Sequence, residues 1–218
     1  MVRAVIFANG TLYDPREARG VLRADDLVIA VDGGTRHAWD AGAEPHLVVG
    51  DLDSLNAQER ERVASAGVEI SSFPARKDAT DLELALARAA SEGADSIVIL
   101  AALGGRIDQT LANLLLLTLP ELRDIDVRVV QGNQEAFLVR DEGFIEGRPG
   151  DTVSLIPLQG DAAGVISEGL EWPLRGETLR LGATRGVSNV LTQERASVGV
   201  GRGLLLCVVT HASGEEWR

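Results

Sequence analysis

Three short segments of this 218-residue chain set carboxylates, glycines and a cation at similar intervals. They are Gly50-Asp51-Leu52-Asp53-Ser54, Lys77-Asp78-Ala79-Thr80-Asp81 and Gly104-Gly105-Arg106-Ile107-Asp108. Lys77 is the single lysine against twenty arginines. Its rarity invites a nucleophilic or Schiff-base role, but flanking carboxylates favour its charged form and make it a fixed cation. Gathering several carboxylates is costly, because two unit charges ~4 Å apart repel by roughly 4 kcal/mol at an effective dielectric of 20. A cation must therefore accompany them. Oxygen ligands without His or Cys suit a hard ion, and Mg²⁺ takes one or two carboxylates together with waters and substrate phosphates. Asp51, Asp53, Asp78, Asp81 and Asp108 are the acidic candidates, while Lys77, Arg106 and glycine amides at a helix start suit phosphate oxygens.

The elements that must position these groups are legible as apolar runs. Ala4–Phe7, Leu27–Val31, Leu47–Val49, Val68–Ile70, Ile97–Leu100 and Val127–Val130 read as strands. Helices are expected near 34–41, 56–66, 81–91 and 109–118. The third is the clearest: Leu82, Ala85, Leu86 and Ala89 follow the i, i+3, i+4, i+7 spacing, and Thr80-x-x-Glu83 reads as a capping box. Strands alternating with amphipathic helices predict an open, mostly parallel α/β sheet with flanking helices over 1–140. Ligands of such sheets bind outside the carboxyl ends of the strands. There the chain carries Asn9-Gly10, Asp32-Gly33-Gly34, Gly50-Asp51-Leu52-Asp53, Lys77-Asp78 and Gly104-Gly105-Arg106.

Beyond residue 140 the pattern changes to short β-type runs punctuated by glycine: 152–156, 178–181, 196–200 and 204–210. The segment 141–218 is expected to form an antiparallel β-sandwich. At this size its core is modest, so it should lean on the first domain or on another subunit.

Composition narrows the function classes. With 45% hydrophobic residues the chain can build a packed core, and a net charge of −12 argues against nucleic acid held by general electrostatics. Cys207, the single cysteine, sits in the apolar run 204–209, which excludes an internal disulfide and reads as a buried thiol. His37, His46 and His211 show no zinc-ligand spacing. The apolar stretch at the start breaks too early for a signal-peptide core, and no 18-residue apolar span occurs. A cytoplasmic protein with no membrane partner is the expectation. Neither a P-loop nor a G-x-G-x-x-G fingerprint is present.

Taken together, Asp32-Gly33-Gly34, Pro45-x4-Gly50-Asp51-Leu52-Asp53-Ser54, Lys77-Asp78-x-Thr80-Asp81 and Gly104-Gly105-Arg106-x-Asp108 resemble the thiamine pyrophosphokinase family in order and spacing. Gly169–Leu174 and Gly186–Asn189 look like its thiamine-side segment. The resemblance implies an α/β catalytic domain, a C-terminal β-sandwich and a homodimer with thiamine near the subunit interface. It implies transfer of a pyrophosphoryl group from ATP to thiamine, giving thiamine diphosphate and AMP. Asp51, Asp53 and Asp81 would organise Mg²⁺, with Asp78 and Asp108 as metal, water or substrate contacts. Asn9, Asp32, Gly33, Lys77, Thr80, Gly105 and Arg106 would face ATP and its phosphates.

Trp172 would offer an aromatic face to the aminopyrimidine or the cationic thiazolium, and Ser188 and Asn189 would meet the pyrimidine's polar edge. A tryptophan in a β domain is otherwise a core or interface residue, and Asn189 otherwise closes a turn. The chain departs from the family in carrying His46 and Gln109 where Asp and His are common. Gln109 cannot titrate, which removes acid–base work from that position. The general base stays open between an Asp of the acidic group and metal-polarised alcohol. A pyrophosphokinase for a pterin-like heterocycle would share the carboxylates but not the 172–189 pocket. A non-catalytic nucleotide- or thiamine-binding protein should tolerate loss of the acidic motifs, all of which are intact.

Overall fold

The computed structural model describes residues 1–72 and 78–212. Lys77 lies outside the described residues. The chain divides into two compact units, one spanning Met1–Gly132 and one beginning at Asn133.

In the first unit the elements run β1 (Val2–Phe7), α1 (Pro15–Val21), β2 (Leu27–Val31), α2 (Gly34–Asp40), β3 (Leu47–Val49), α3 (Ala57–Ser65) and β4 (Glu69–Ser71). They continue with α4 (Asp81–Ser91), β5 (Ala94–Leu100), α5 (Ile107–Leu116), a short 3₁₀ turn at Pro120–Leu122 and β6 (Asp126–Gln131). The six strands lie in the order β6-β5-β1-β2-β3-β4, and every adjacent pair is parallel. Their apolar runs are near-continuous because both faces are covered. On one face Val5, Phe7, Val28, Val98 and Leu100 pack with Ala18 and Val21 of α1 and Ala38 of α2. Ile6, Ile29, Ile97 and Ile99 have the opposite parity along their strands and are fully buried as well. Helix α4 crosses β1, β2, β3 and β5, with Leu82, Ala85, Leu86 and Ala89 as its buried face.

The helix starts differ in detail from the sequence expectation. Thr80 accepts a hydrogen bond from the Glu83 amide at 3.2 Å, one arm of the anticipated capping box. The reciprocal box forms instead at α3, between Asn56 and Glu59. Helix α5 begins at Ile107 behind an extended Arg106, so Asp108 lies in its first turn.

The second unit contains β7 (Gln134–Val139), β8 (Glu142–Glu146), β9 (Thr152–Pro157), β10 (Ala162–Glu168), β11 (Arg175–Leu179), β12 (Asn189–Val190), β13 (Arg195–Gly199) and β14 (Leu205–Thr210). Two antiparallel layers result, ordered β12-β9-β14-β7 and β11-β10-β13-β8. Inward residues of both layers, among them Phe137, Ile145, Leu155, Val165, Leu179 and Cys207, form one core. Cys207 is fully buried, as its apolar run predicts. No helix among the described residues is long and apolar enough to cross a membrane.

Candidate active site

The carboxyl ends of β1, β2, β3 and β5 are laced to one another by backbone bonds and close contacts. Ala8 N donates to Leu100 O at 2.9 Å, Gly10 N to Ala101 O at 2.8 Å and Thr11 N to Leu103 O at 2.9 Å, joining the β1 and β5 loops. A Cβ on Gly10 would lie 2.4 Å from Ala101 O, so this lacing requires glycine. Asn9 Oδ1 lies against Gly33, where a Cβ would approach it to 2.3 Å. Asp32 N donates to Val49 O at 3.1 Å, which ties the β2 end to the β3 end.

Asp32 is the hinge of the acidic group. Its φ of 45° is a left-handed conformation that Asp tolerates better than bulky residues. The turn sends its side chain toward the β3 loop, where Leu52 N donates to Oδ1 at 3.4 Å. A Cβ on Gly50 would sit 1.8 Å from that oxygen, and Gly50 has φ 139°, so only glycine fits there. Burial, then the charge of Asp81 and a side-chain hydrogen bond with it, then the charge of Asp51, push the Asp32 carboxyl up to about 6. Carboxylates from the β3 loop and the start of α4 therefore both bear on the Asp32 side chain at the end of β2.

The Asp51–Asp53 loop is held from outside the acidic group. Asp51 Oδ1 accepts from Asp53 N at 3.0 Å, a local Asx turn. Leu55 is buried beneath the loop. Arg36 of α2 donates to Ser54 O at 2.5 Å and to both oxygens of Glu59 at 2.6 and 2.7 Å. The Arg36 guanidinium beside it, with the Asn56 amide, lowers the Glu59 carboxyl to about 2. Neither Arg36 nor Glu59 stood out in the sequence; the paired Asn56 and Glu59 at capping-box spacing was the available signal.

Around β5 the Gly-Gly-Arg segment opens α5. Gly104 N donates to Thr110 Oγ1 at 3.2 Å, and buried Asn113 donates to Ala102 O at 2.6 Å. Arg106 forms a two-pronged pair with Asp108 at 3.0 and 2.5 Å, both side chains well exposed. The hydrogen bond from Arg106, followed by that from Gln109 N, holds the Asp108 carboxyl below its ordinary value. Asp108 thus neutralises Arg106 rather than joining Asp32, Asp51 and Asp81. Asp53 and Asp78 are exposed, and Thr80 caps α4. Among the described residues no group of three or more Asp, Glu, His or Cys side chains is placed to hold a metal ion by itself.

In the second unit, Trp172 lies between buried Leu170 and Leu174 yet is itself 57% exposed. Asn189, 8% exposed, holds it in place: Trp172 N donates to Asn189 Oδ1 at 3.0 Å, and Asn189 Nδ2 donates to Trp172 O at 2.7 Å. Val190 N donates to the same Oδ1 at 2.9 Å. Most of the amide's capacity is thereby spent on backbone. Ser188, exposed and with φ 63°, follows Val187, and its amide donates to Ser154 Oγ at 3.1 Å. The three sequence candidates come together, with Trp172 and Ser188 presented outward and Asn189 turned inward.

Comparison with known proteins agrees with this architecture. Residues 18–129 match the family model "Thiamin pyrophosphokinase, catalytic domain", and residues 140–205 match "Thiamin pyrophosphokinase, vitamin B1 binding domain". The thiamine pyrophosphokinase of Bacillus subtilis (strain 168) is 33% identical over 184 residues, covering 84% of this chain and 86% of the relative. The crystal structure of a thiamine pyrophosphokinase from Bacillus subtilis superposes with a TM-score of 0.88 at 29% identity, covering 98% of this chain and 100% of that one. A thiamin pyrophosphokinase structure from Geobacillus thermodenitrificans follows at 0.83 and 25% identity, covering 99% and 100%. Sequence motifs, fold and relatives converge, and the chain belongs to the thiamin pyrophosphokinase family.

Proposed function

We propose that this chain transfers the pyrophosphoryl group of ATP to the hydroxyethyl oxygen of thiamine, giving thiamine diphosphate and AMP. The observation that carries this reading is the Asp32 carboxyl at the carboxyl edge of the parallel sheet, pushed up by burial and by the nearby charges of Asp81 and Asp51. Such a group is electrostatically uncomfortable alone and suited to a hard cation, whose coordination by waters and phosphates needs few protein carboxylates. Asp51, Asp53 and Asp81 would hold Mg²⁺, and Asp32, placed on sequence grounds with the phosphate contacts, is better read on the metal side because a carboxylate repels phosphate. The ion supplies charge neutralisation on the polyphosphate when bound.

In the transfer, the thiamine hydroxyl gives up its proton to a carboxylate of the acidic group or to solvent, its oxygen bonds to the β-phosphorus while the bond from that phosphorus to the α–β bridging oxygen breaks, and AMP departs. The chain's own contribution is positioning and electrostatics. Arg106 and the Gly105 amide at the start of α5 would meet phosphate oxygens, with the Asp108 pair exchanging for substrate contact. Asn9, Gly33 and Thr80 line the same edge, and Lys77 would add a cation. Asp78 would serve as a water or substrate contact. In the β-sandwich, the exposed Trp172 ring is suited to stack on a cationic heterocycle, and the exposed Ser188 hydroxyl would meet its polar edge. Asn189 acts by fixing the Trp172 backbone.

A homodimer in the cytoplasm fits this reading. Ile107, Leu111 and Leu115 lie at i, i+4 and i+8 on α5, 87%, 58% and 43% exposed, an apolar stripe that supports burial against a second copy. The deciding assay supplies ATP, Mg²⁺ and thiamine and follows both products. AMP with thiamine diphosphate supports the proposal; ADP, or no turnover across metals and pH, rejects it.

A further inference from the structure

Asp32 and the Asp51–Asp53 loop reach the acidic edge from different strands, so their separation depends on what joins the two. Helix α2 makes one such join. It starts directly behind the Asp32 turn, and fully buried Thr35 ties that turn to the helix: its N and its Oγ1 both donate to Asp32 O, at 3.0 and 2.7 Å. Arg36, the next residue, reaches from the same turn of helix to the far side of the loop. Its one guanidinium donates to Ser54 O and to both oxygens of Glu59.

That far side is anchored residue by residue. Glu59 Oε2 also accepts from Asn56 N at 2.8 Å, and Arg60 Nε donates to Leu55 O at 2.8 Å. Ser54, Leu55 and Asn56, which directly follow Asp53, are thus held by Arg36, Arg60 and Glu59 in turn. Ser54 Oγ is buried without a partner, so this residue is fixed through its carbonyl. A planar guanidinium serves a carbonyl and a carboxylate together in one fork, which a flexible ammonium does not reproduce.

A second link joins the same pair of helices at the other end. Arg62 of α3 lies over the Trp39 ring of α2, 4.1 Å from its centroid, and pairs with Glu44. Cohesion between α2 and α3 therefore has its own arginine. What distinguishes Arg36 is the Ser54 carbonyl, one residue beyond Asp53, at the other end of a strut that begins at Asp32.

We propose that Arg36, held by Glu59, is a positioning residue for the acidic edge: it fixes the spacing between Asp32 and the Asp51–Asp53 carboxylates and so sets the affinity of that edge for a divalent cation. The inference rests on reading the edge as a Mg²⁺ site. Groups that orient ligands from outside typically change metal affinity or activity by ~10- to 100-fold when lost.

The test uses wild type, Arg36→Gln, Arg36→Lys and Arg62→Gln. Binding of Mn²⁺ alone, read from the free-ion EPR signal, is set beside kcat, the thiamine KM and Tm. Arg36→Gln should weaken Mn²⁺ binding and lower kcat by about tenfold each, with the thiamine KM unchanged. Arg36→Lys should recover only part of this loss, because an ammonium meets one acceptor in place of two. Arg62→Gln should lower Tm while Mn²⁺ affinity and kcat stay within about twofold of wild type. Equal losses of Mn²⁺ affinity in Arg36→Gln and Arg62→Gln would show that Arg36 only cements two helices. Wild-type Mn²⁺ affinity in Arg36→Gln, or full recovery by lysine, would equally overturn the proposal.

Should Arg36→Gln fail to fold, Glu59→Gln takes its place, since glutamine keeps an oxygen for Asn56 N and removes the charge that holds Arg36. Unchanged Mn²⁺ affinity there would overturn the proposal, and a severalfold loss would support it. Wild type that binds Mn²⁺ without turning over thiamine would reject pyrophosphoryl transfer while the Mn²⁺ series still judged Arg36. Wild type that binds no Mn²⁺ would overturn the proposal itself.

Discussion

The acidic edge of the parallel sheet and the Trp172 corner of the β-sandwich solve opposite problems. At the first, Asp81 and Asp51 crowd the Asp32 carboxyl, and Asp32 and Leu52 occupy left-handed backbone conformations. At the second, the polar groups are matched locally: Asn189 satisfies both backbone groups of Trp172 and the amide of Val190. One region gathers like charge, whereas the other, although Ser188 is also left-handed, has its polar groups satisfied and presents a ring. Strain at a site is tolerated where surrounding structure overdetermines it, and here the Arg36 clamp and the β1–β5 lacing supply that support. The contrast predicts that substitutions at the edge change turnover, while those at the corner change acceptor affinity and local stability.

The largest effect should follow removal of charge from the edge. Asp51→Asn or Asp81→Asn should lower kcat by on the order of a hundredfold or more, because comparable electrostatic stabilisers are worth that much. Both variants should fold, since Asn preserves shape and Asp51 Oδ1 needs only to accept from Asp53 N. Near-normal rates in folded protein would return these residues to structural roles. At the corner, Trp172→Ala should raise the thiamine KM about tenfold, the scale of a lost cation–π contact, and leave kcat much less affected. A fall in kcat with KM unchanged would mean the ring does not bind the acceptor.

Asn189→Ala sharpens the same contrast. It leaves the Trp172 backbone N–H and C=O without their partner, at a cost of about 1–3 kcal/mol if they stay buried. Denaturant unfolding should show that loss, and the thiamine KM should rise by less than in Trp172→Ala. A larger KM effect at Asn189 than at Trp172 would make Asn189 the direct contact and the ring its support.

Much of this was legible because the parallel sheet writes its strands as unbroken apolar runs. All six strands of the first unit were visible, as was α4, whose buried face follows a helical period. Helix α1 was not, because seven residues with only Ala18 and Val21 buried carry too little periodicity. Its signal was the Asp14-Pro15 start, where Asp14 caps Arg16 N and proline takes the first turn. Strand β8 was missed for a related reason: as an edge strand it buries Ile145 and leaves Phe144 63% exposed. In the site, residue types announced metal and phosphate chemistry, but partnership did not follow from type. Asp108 was read among the acidic residues and is paired with Arg106, whereas Asp32 entered the carboxyl group through a backbone turn. Arg36 matters through contacts made across the fold, which no local pattern records.

The smallest expected effect is also the most diagnostic of strain at the edge. Asp32 has a folded-state value of about 6 against an ordinary 3.8, so between those limits the native state binds the proton more tightly than the unfolded chain. Its contribution to stability is therefore fullest below about pH 4 and is lost as pH rises through 6. Glu59 and Asp108 have the opposite sign, with lowered values, and their stabilisation is lost only in more acidic solution. From about pH 4 to 6, metal-free protein should accordingly lose stability through Asp32. Asp32→Asn keeps the oxygen that accepts from Leu52 and removes the charge. Because Asp32 is partly solvated and its repulsion screened, the gain should be modest, about 2–4 °C in Tm at pH 7.5, smaller at pH 4.5 and gone below about pH 3.5. A Tm difference independent of pH, or one that grows toward acid, would show that Asp32 is not strained by its neighbours, and the contrast between the two regions would fail on the side of the acidic edge.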